Sequence, residues 1–255
     1  MPSACHVEST RVVRALAREV AASPIVGVLL RRCAAAVEGS TPGARLYLVG
    51  GYPRDRAIET AHRAGRPRSD LDLLAVGLGD DAWESLGGAL VQELDGTGVA
   101  VHPDIGRTFP VIKLGGLGLT SDLAPARRRG GQGADAGVTL AQDLARRDFT
   151  IDALAVEVRP DDDPPLGAMH DPFDGLGDVA RGRLAPVGTA AECFADDPAR
   201  LYRAVRLETE LAGLGFELDG ALAAEARRCA GERAPAIARE RVIADVERAL
   251  RADPQ

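Results

Sequence analysis

Asp70 and Asp72 stand one residue apart in the run Ser69-Asp70-Leu71-Asp72-Leu73-Leu74, and upstream the pair Gly50-Gly51 closes the apolar run Arg45–Val49. In an extended strand, residues i and i+2 project from one face, so the two carboxylates would sit side by side while Leu71 and Leu73 turn the other way. Adjacent carboxylates repel unless a positive charge lies between them. Magnesium takes oxygen ligands, commonly one or two carboxylates plus substrate phosphates, so a metal carrying a nucleoside triphosphate is the simplest source of that charge. The glycines supply a complementary half. Pro53 suits the first turn of a helix, and a helix N-terminus behind glycine backbone offers N–H groups to phosphate. A lone D-x-D is common on solvated strand edges, and a lone Gly-Gly is more often a turn. Here they sit on adjacent expected strands joined by a helix carrying Arg54, Asp55 and Arg56, and together they point to phosphate chemistry.

The elements that must position these residues are legible in outline. Residues 10–38 read as two amphipathic helices, Thr10–Ala22 and Ile25–Val37, split by Ser23-Pro24 and without evident chemistry. A strand at 45–49, a helix near 53–64 and a strand at 70–76 follow. Next come a helix near 80–94 and short strands at Val99–His102, Thr108–Leu114 and Leu117–Leu123. This predicts a small mixed sheet with helices packed against it. Residues 125–138, rich in Gly and Arg and without periodicity, read as a mobile loop. Asp171–Val179 (DPFDGLGDV) reads as a turn, and beyond Asp196 the pattern is helical: Arg200–Leu211, Ala221–Cys229 and Arg239–Arg251. The expected class is α+β, with an N-terminal helical segment over 1–44, a sheet-bearing domain over 45–190 and a helical subdomain over 191–255.

Composition narrows the classes. The 255 residues suffice for a sizeable core. The early apolar stretch Pro24–Leu30 ends in Arg31-Arg32 and is too short to span a bilayer, and no leader pattern precedes it, so a cytoplasmic protein without a membrane partner is expected. Cys5, Cys33, Cys193 and Cys229 are scattered with no C-x-x-C spacing, which argues against zinc or a disulfide framework. With 38 acidic against 31 basic residues the net charge is −7, unlike a typical nucleic-acid binder. Lys113 is the only lysine, but arginines cluster at 127–129, 146–147 and 200–206, where local field counts for more than net charge.

Several ordered motifs together carry a family resemblance. LYLVGGYPRD (Leu46–Asp55), SDLDLLAVG (Ser69–Gly77), RRDFTIDALA (Arg146–Ala155), DPFDGLGDV, DDPARLYRAVR (Asp196–Arg206) and ARERV (Ala238–Val242) resemble, in order, the motifs of bacterial tRNA nucleotidyltransferases (CCA-adding enzymes) and poly(A) polymerases, within the polymerase-β-like nucleotidyltransferase superfamily. The resemblance implies a catalytic head over 45–190 and a nucleotide-selecting neck over 191–255. It also implies transfer of C or A from CTP or ATP to an RNA 3′ end, with a two-metal magnesium site. Asp70 and Asp72 would be the metal-holding catalytic carboxylates, and Asp122, in SDLAPAR, the third. Gly50, Gly51 and Arg54 would face the triphosphate. Arg146, Arg147 and Asp148 would contact phosphates and ribose, with Thr150 structural. Asp197 and Arg200 would read the base edge, and the alternative for Asp197 is a plain helix cap. Arg203 and Arg206, on one side of that helix, could reach the triphosphate or be ordinary solvated arginines.

The chain departs from the family in places. Asp152 replaces asparagine and can only accept hydrogen bonds when ionised. Asp196 replaces glutamate, and Asp174 stands where glycine is usual. The family's tRNA enzymes continue into further helical segments beyond ARERV, and this sequence ends soon after it. Two acceptor classes are therefore expected to compete: a tRNA or other RNA 3′ end, and a small molecule or protein.

Overall fold

Proline at position 24 has no N–H to donate and fits a first helical turn, so in the computed structural model the N-terminal pattern divides into α1 (Ala4–Ala22) and α2 (Pro24–Ser40). The structure describes residues 4–65, 70–102, 110–128, 130–131, 133–230 and 239–252. Both helices run longer than the apolar periodicity alone predicts. The remaining elements of the first half are β1 (Arg45–Val49), α3 (Gly51–His62), β2 (Leu71–Val76), α4 (Asp80–Glu93), β3 (Ala100–His102), β4 (Ile112–Gly116), β5 (Leu119–Pro125), α5 (Leu140–Leu144), β6 (Ala155–Val158) and β7 (Leu166–His170). Among the described residues no single helix is long and apolar enough to cross a membrane.

The seven strands form one mixed sheet in the order β3-β4-β5-β2-β1-β6-β7, an α+β arrangement with α1–α4 packed on the sheet and on one another. β1 and β2 are neighbours although a helix joins them, and they run antiparallel. α3 therefore leaves from and returns to the same end of the sheet, and Val49, the last residue of β1, lies opposite Asp72. Leu71 and Leu73 face the core, whereas Asp70 is exposed and Asp72 half-buried, as the alternation requires.

Three expectations need correction. Leu117 does not begin a strand. Leu117 and Gly118 are the two turn residues of the β4–β5 hairpin, at φ 53° and 77°, the positive-φ pair that two-residue hairpins favour. The preceding strand starts at Ile112, and Thr108 and Phe109 lie outside the described residues. Nor are the described residues of 125–138 a free loop. The Ala126 N–H donates to the Ala75 carbonyl, Asp135 N–H to the Ala126 carbonyl and Ala134 N–H to Asp80 Oδ1, while Ala134 and Val138 are buried. Backbone hydrogen bonds and two small apolar anchors fix a segment whose composition alone suggests mobility. Finally, β6 and β7 extend the sheet beyond β1, where no strand is expected from the motif reading.

By contacts the chain divides into two compact units, Met1–Arg146 with Leu154–Pro172, and Arg147–Ala153 with Phe173–Gln255. The second unit holds α6 (Gly175–Arg181), β8 (Arg183–Leu184), α7 (Ala190–Asp196), α8 (Arg200–Leu211), β9 (Glu217–Leu218), α9 (Gly220–Ala230) and α10 (Arg239–Ala252). α6 occupies the segment read as a turn, and Asp178 lies inside it, fully buried. Its carboxylate accepts hydrogen bonds from Thr150 Oγ1 at 2.6 Å, Arg183 Nε at 2.7 Å and Arg181 Nη2 at 2.8 Å. Asp174, in the place of the family's glycine, has φ 57°, a left-handed conformation that glycine adopts at no steric cost and aspartate tolerates.

Candidate active site

In the first unit the carboxylates converge through strand register. β2 and β5 are parallel neighbours with Asp72 opposite Asp122, so two acidic side chains stand side by side on one face, with Asp70 two residues before Asp72 on that face. Asp70 Oδ1 accepts a hydrogen bond from Thr120 Oγ1 at 2.7 Å. Asp122 is paired with Lys113, whose Nζ lies 3.0 Å from both carboxylate oxygens. Lys113 faces Asp122 because the two-residue turn at Leu117-Gly118 sets the β4–β5 register, and a slip of one residue would turn it to the opposite face. Neither Lys113 nor Thr120 is singled out by the sequence. The place of the lysine follows from the hairpin turn, whose leucine hides it in the sequence.

The glycine pair lies at the same end of the sheet. Gly50 has φ 72° and ψ −135°, a conformation closed to side chains, and α3 begins at Gly51 with Pro53 in its first turn. The N-terminus of α3 thus starts two residues past Val49, the partner of Asp72. Arg54 is buried and its Nε donates to Asp55 Oδ1 at 3.0 Å. Arg146 donates to Asp143 Oδ1 at 2.9 Å and to the Arg127 carbonyl at 3.3 Å. Burial and the neighbouring Arg146 hold the Arg127 guanidinium below its usual range, and Arg128 pairs with Asp135, so neither is a loose cation. Arg129 lies outside the described residues.

All the carboxylates near this end are hard oxygen donors, which suits magnesium, and Asp70 with Asp72 supply the one or two protein ligands that ion usually takes beside phosphates. Among the described residues no group of three or more His, Cys, Asp or Glu is drawn together for a metal, and Asp122 is engaged by Lys113. Asp70 and Asp72 are therefore the residues that would hold such an ion, with Asp122 beside them in register with Asp72.

The second unit gathers Asp148, Arg200 and Arg203. Asp148 is only 5 % exposed and its Oδ2 accepts from Arg203 Nη1 at 2.5 Å. Burial, the largest influence, pushes its carboxyl upward. The charge and hydrogen bond of Arg203 and the charge of Arg200 outweigh it and hold Asp148 below the usual carboxylate range. Arg200 is buried, with Nη2 3.0 Å from Asp196 Oδ2 and Nη1 donating to the Cys193 carbonyl at 3.3 Å. Asp197 Oδ1 accepts the Ala199 N–H at 3.1 Å, the cap-like turn that aspartate before a helix favours. Arg147 Nη1 donates to the Asp152 carbonyl at 3.3 Å, while its Nε is buried without a hydrogen-bond partner. Arg206 stands apart from this group, bound to Asp245 Oδ1 at 2.7 Å and to both Glu210 oxygens at 3.1 Å.

The Asp148–Arg203 pair leads to a pH-dependent expectation. Arg203→Ala should cost about 1–3 kcal/mol at neutral pH, less than a fully buried pair because the Arg203 side chain is 39 % exposed. Because the folded-state value of Asp148 is depressed, its contribution is complete above the unfolded carboxylate value of about 3.9 and fades as pH falls through the folded value. Urea midpoints of wild type and variant should differ at pH 7 and converge below about pH 4. A difference that does not vary with pH would place the effect elsewhere.

Comparison with known proteins comes to the same region. Residues 46–185 match the Poly A polymerase head domain. The chain is 34 % identical over 214 residues to the multifunctional CCA protein of Stenotrophomonas maltophilia (strain K279a), covering 81 % of this chain and 46 % of that one. It is 34 % identical over 213 residues to a CCA-adding enzyme of Pseudomonas putida (strain ATCC 700007 / DSM 6899 / JCM 31910 / BCRC 17059 / LMG 24140 / F1), covering 80 % and 50 %. The Bacillus stearothermophilus CCA-adding enzyme, solved in complex with CTP, superposes with a TM-score of 0.65 at 25 % identity over 86 % of this chain and 47 % of that chain. The chain spans about half the length of the curated relatives it matches.

Proposed function

Because the chain belongs to the family of the Poly A polymerase head domain, we propose that it is a magnesium-dependent nucleotidyltransferase that adds C or A, from CTP or ATP, to the 3′ end of a tRNA or similar RNA and releases pyrophosphate. The observation that carries this reading is the Asp70–Asp72 pair at the start of β2, brought by the antiparallel β1–β2 register to the end of the sheet where Gly50-Gly51 open α3. Asp70 and Asp72 would hold the ion, which when bound offsets the charge of the triphosphate and of the displacement at phosphorus. The backbone N–H groups at the start of α3 would bind phosphate oxygens. Thr120 and Lys113 hold Asp70 and Asp122 in place. In the second unit, Asp148 and Arg203 would address ribose and phosphate, while Asp197 and Arg200 offer an acceptor and a donor to a base edge.

The test is incubation with each labelled nucleoside triphosphate, magnesium and tRNA lacking its 3′ end. Labelled tRNA with CTP or ATP supports the reading, and absence of any labelled RNA at low salt overturns it. The net charge of −7 favours one second reading, a small-molecule acceptor, which the same assay would register as a labelled small product.

Nucleotide choice gives a further expected result. Arg200→Ala should change the ratio of kcat/KM for CTP and ATP by about tenfold, because a charged hydrogen bond to a base edge is lost. It should also lower the melting temperature, since the Asp196 pair and the Cys193 carbonyl bond go with it. Altered stability with an unchanged nucleotide ratio would leave Arg200 a structural residue only.

A further inference from the structure

Along α1, Arg11, Arg14 and Arg18 follow helical spacing and are all exposed. Steps of three and four residues place them on one side of the helix at intervals of about 5–6 Å. With Ala15 and with Glu59 and Thr60 of α3 they line a groove of about 490 Å³ within the first unit. The nearby carboxylates are directed elsewhere: the Nη1 of buried Arg56 lies 3.4 Å from Glu19 and 2.6 Å from Glu59. Among the described residues, none of the three arginines makes an ion pair. The acidic residues of their own helix are Glu8, one turn before Arg11, and Glu19, next to Arg18 and turned to Arg56. In a chain of net charge −7, three exposed like charges without partners form a local basic surface whose complement is a polyanion.

We propose that this face of α1 docks the phosphate backbone of the RNA whose 3′ end the protein extends, an inference that rests on the RNA-acceptor reading above. The chemistry of the groove separates this occupant from others. A membrane-surface helix must offer an apolar face to lipid, but Val12, Leu16 and Val20 of α1 are buried within the protein. A protein partner usually anchors on aromatic or large apolar side chains, and among the described residues Ala15 is the only apolar one lining the groove. α1 also precedes residues 46–185, the part matched by the head domain. The three arginines thus lie outside the matched stretch, while Glu59 and Thr60 on the other wall of the groove lie within it.

The test compares binding of a fluorescent tRNA transcript lacking its 3′ end to the full chain, to Arg11→Gln/Arg14→Gln/Arg18→Gln and to Arg11→Lys/Arg14→Lys/Arg18→Lys, across a salt series. Three lost phosphate contacts should reduce the slope of log affinity against log salt by about 2, and the lysine variant should keep the wild-type slope because the contacts are purely electrostatic. Thermal melts of the three proteins should coincide, since the substituted side chains are exposed. A wild-type slope in the glutamine variant overturns the proposal, as does an equal loss in the lysine variant. Loss of binding to anionic phospholipid vesicles with unchanged tRNA binding also overturns it. Nucleotide incorporation by wild type into the same transcript is read in parallel. Its absence would refute the RNA-acceptor reading, while a wild-type slope in the glutamine variant with incorporation intact would refute only the docking face.

Discussion

Asp72→Ala is expected to reduce nucleotide transfer by about 10³-fold while leaving the protein folded. A charge-stabilising group at the site of displacement is typically worth about 10²–10³ in rate, and a residue that also holds the ion belongs at the upper end. The side chain is half-buried on the carboxylate face, in register with Asp122 and two residues from Asp70. Relieved repulsion among like charges offsets the loss of the side chain's own contacts, so the melting temperature should stay close to that of wild type. The two effects together separate a functional carboxylate from a structural one. Single-turnover incorporation of labelled nucleotide, with a thermal melt of the same preparation, measures both. Turnover within tenfold of wild type would remove Asp72 from the site.

Asp178→Ala should produce the reverse signature. This carboxylate is 0 % exposed and joins Thr150, distant in sequence, to Arg181 of its own helix and Arg183 just beyond it. Burial, the largest influence, raises its carboxyl, and the hydrogen bonds from Arg183, Thr150 and Arg181 more than reverse that, leaving it below the usual range. Truncation leaves the buried Thr150 hydroxyl unpaired, while the half-exposed arginines return to water, for a loss of about 2–4 kcal/mol. For a chain of this size that is a fall in melting temperature of roughly 4–16 °C. Asp178→Asn, which keeps the shape and an acceptor for Thr150, should lose less. An alanine variant that melts with wild type would show that the buried network contributes little.

The sequence exposes what depends on local pattern and hides what depends on pairing. The strands at 45–49 and 70–76, the break at Pro24 and the helix Arg200–Leu211 follow from periodicity and proline chemistry, and the structure places them within a residue or two. Ala155–Val158 is short and buried, and its neighbours carry motif residues, so nothing local distinguishes the strand. The capping boxes Thr139–Gln142 and Thr189–Glu192 mark the starts of α5 and α7, and both are readable as a threonine followed three residues later by glutamine or glutamate. The Lys113–Asp122 contact depends on a hairpin register that Leu117 obscures, since leucine seldom marks a positive-φ turn position. Arg206 shows the opposite error: its spacing places it with Arg203, but Asp245, far along the chain, binds it.

The chain crosses between the two units after Arg146, after Ala153 and after Pro172. No single cut can therefore divide the protein into its units. A fragment starting at Phe173 would leave behind Asp148, which pairs with Arg203, Phe149, which bridges to Pro186, and Thr150, which donates to Asp178. The C-terminal helices thus inherit part of their interior from a strip of sequence lying between segments of the other unit. An exchange of these helices between related chains would keep their interior intact only if residues 147–153 travelled with them.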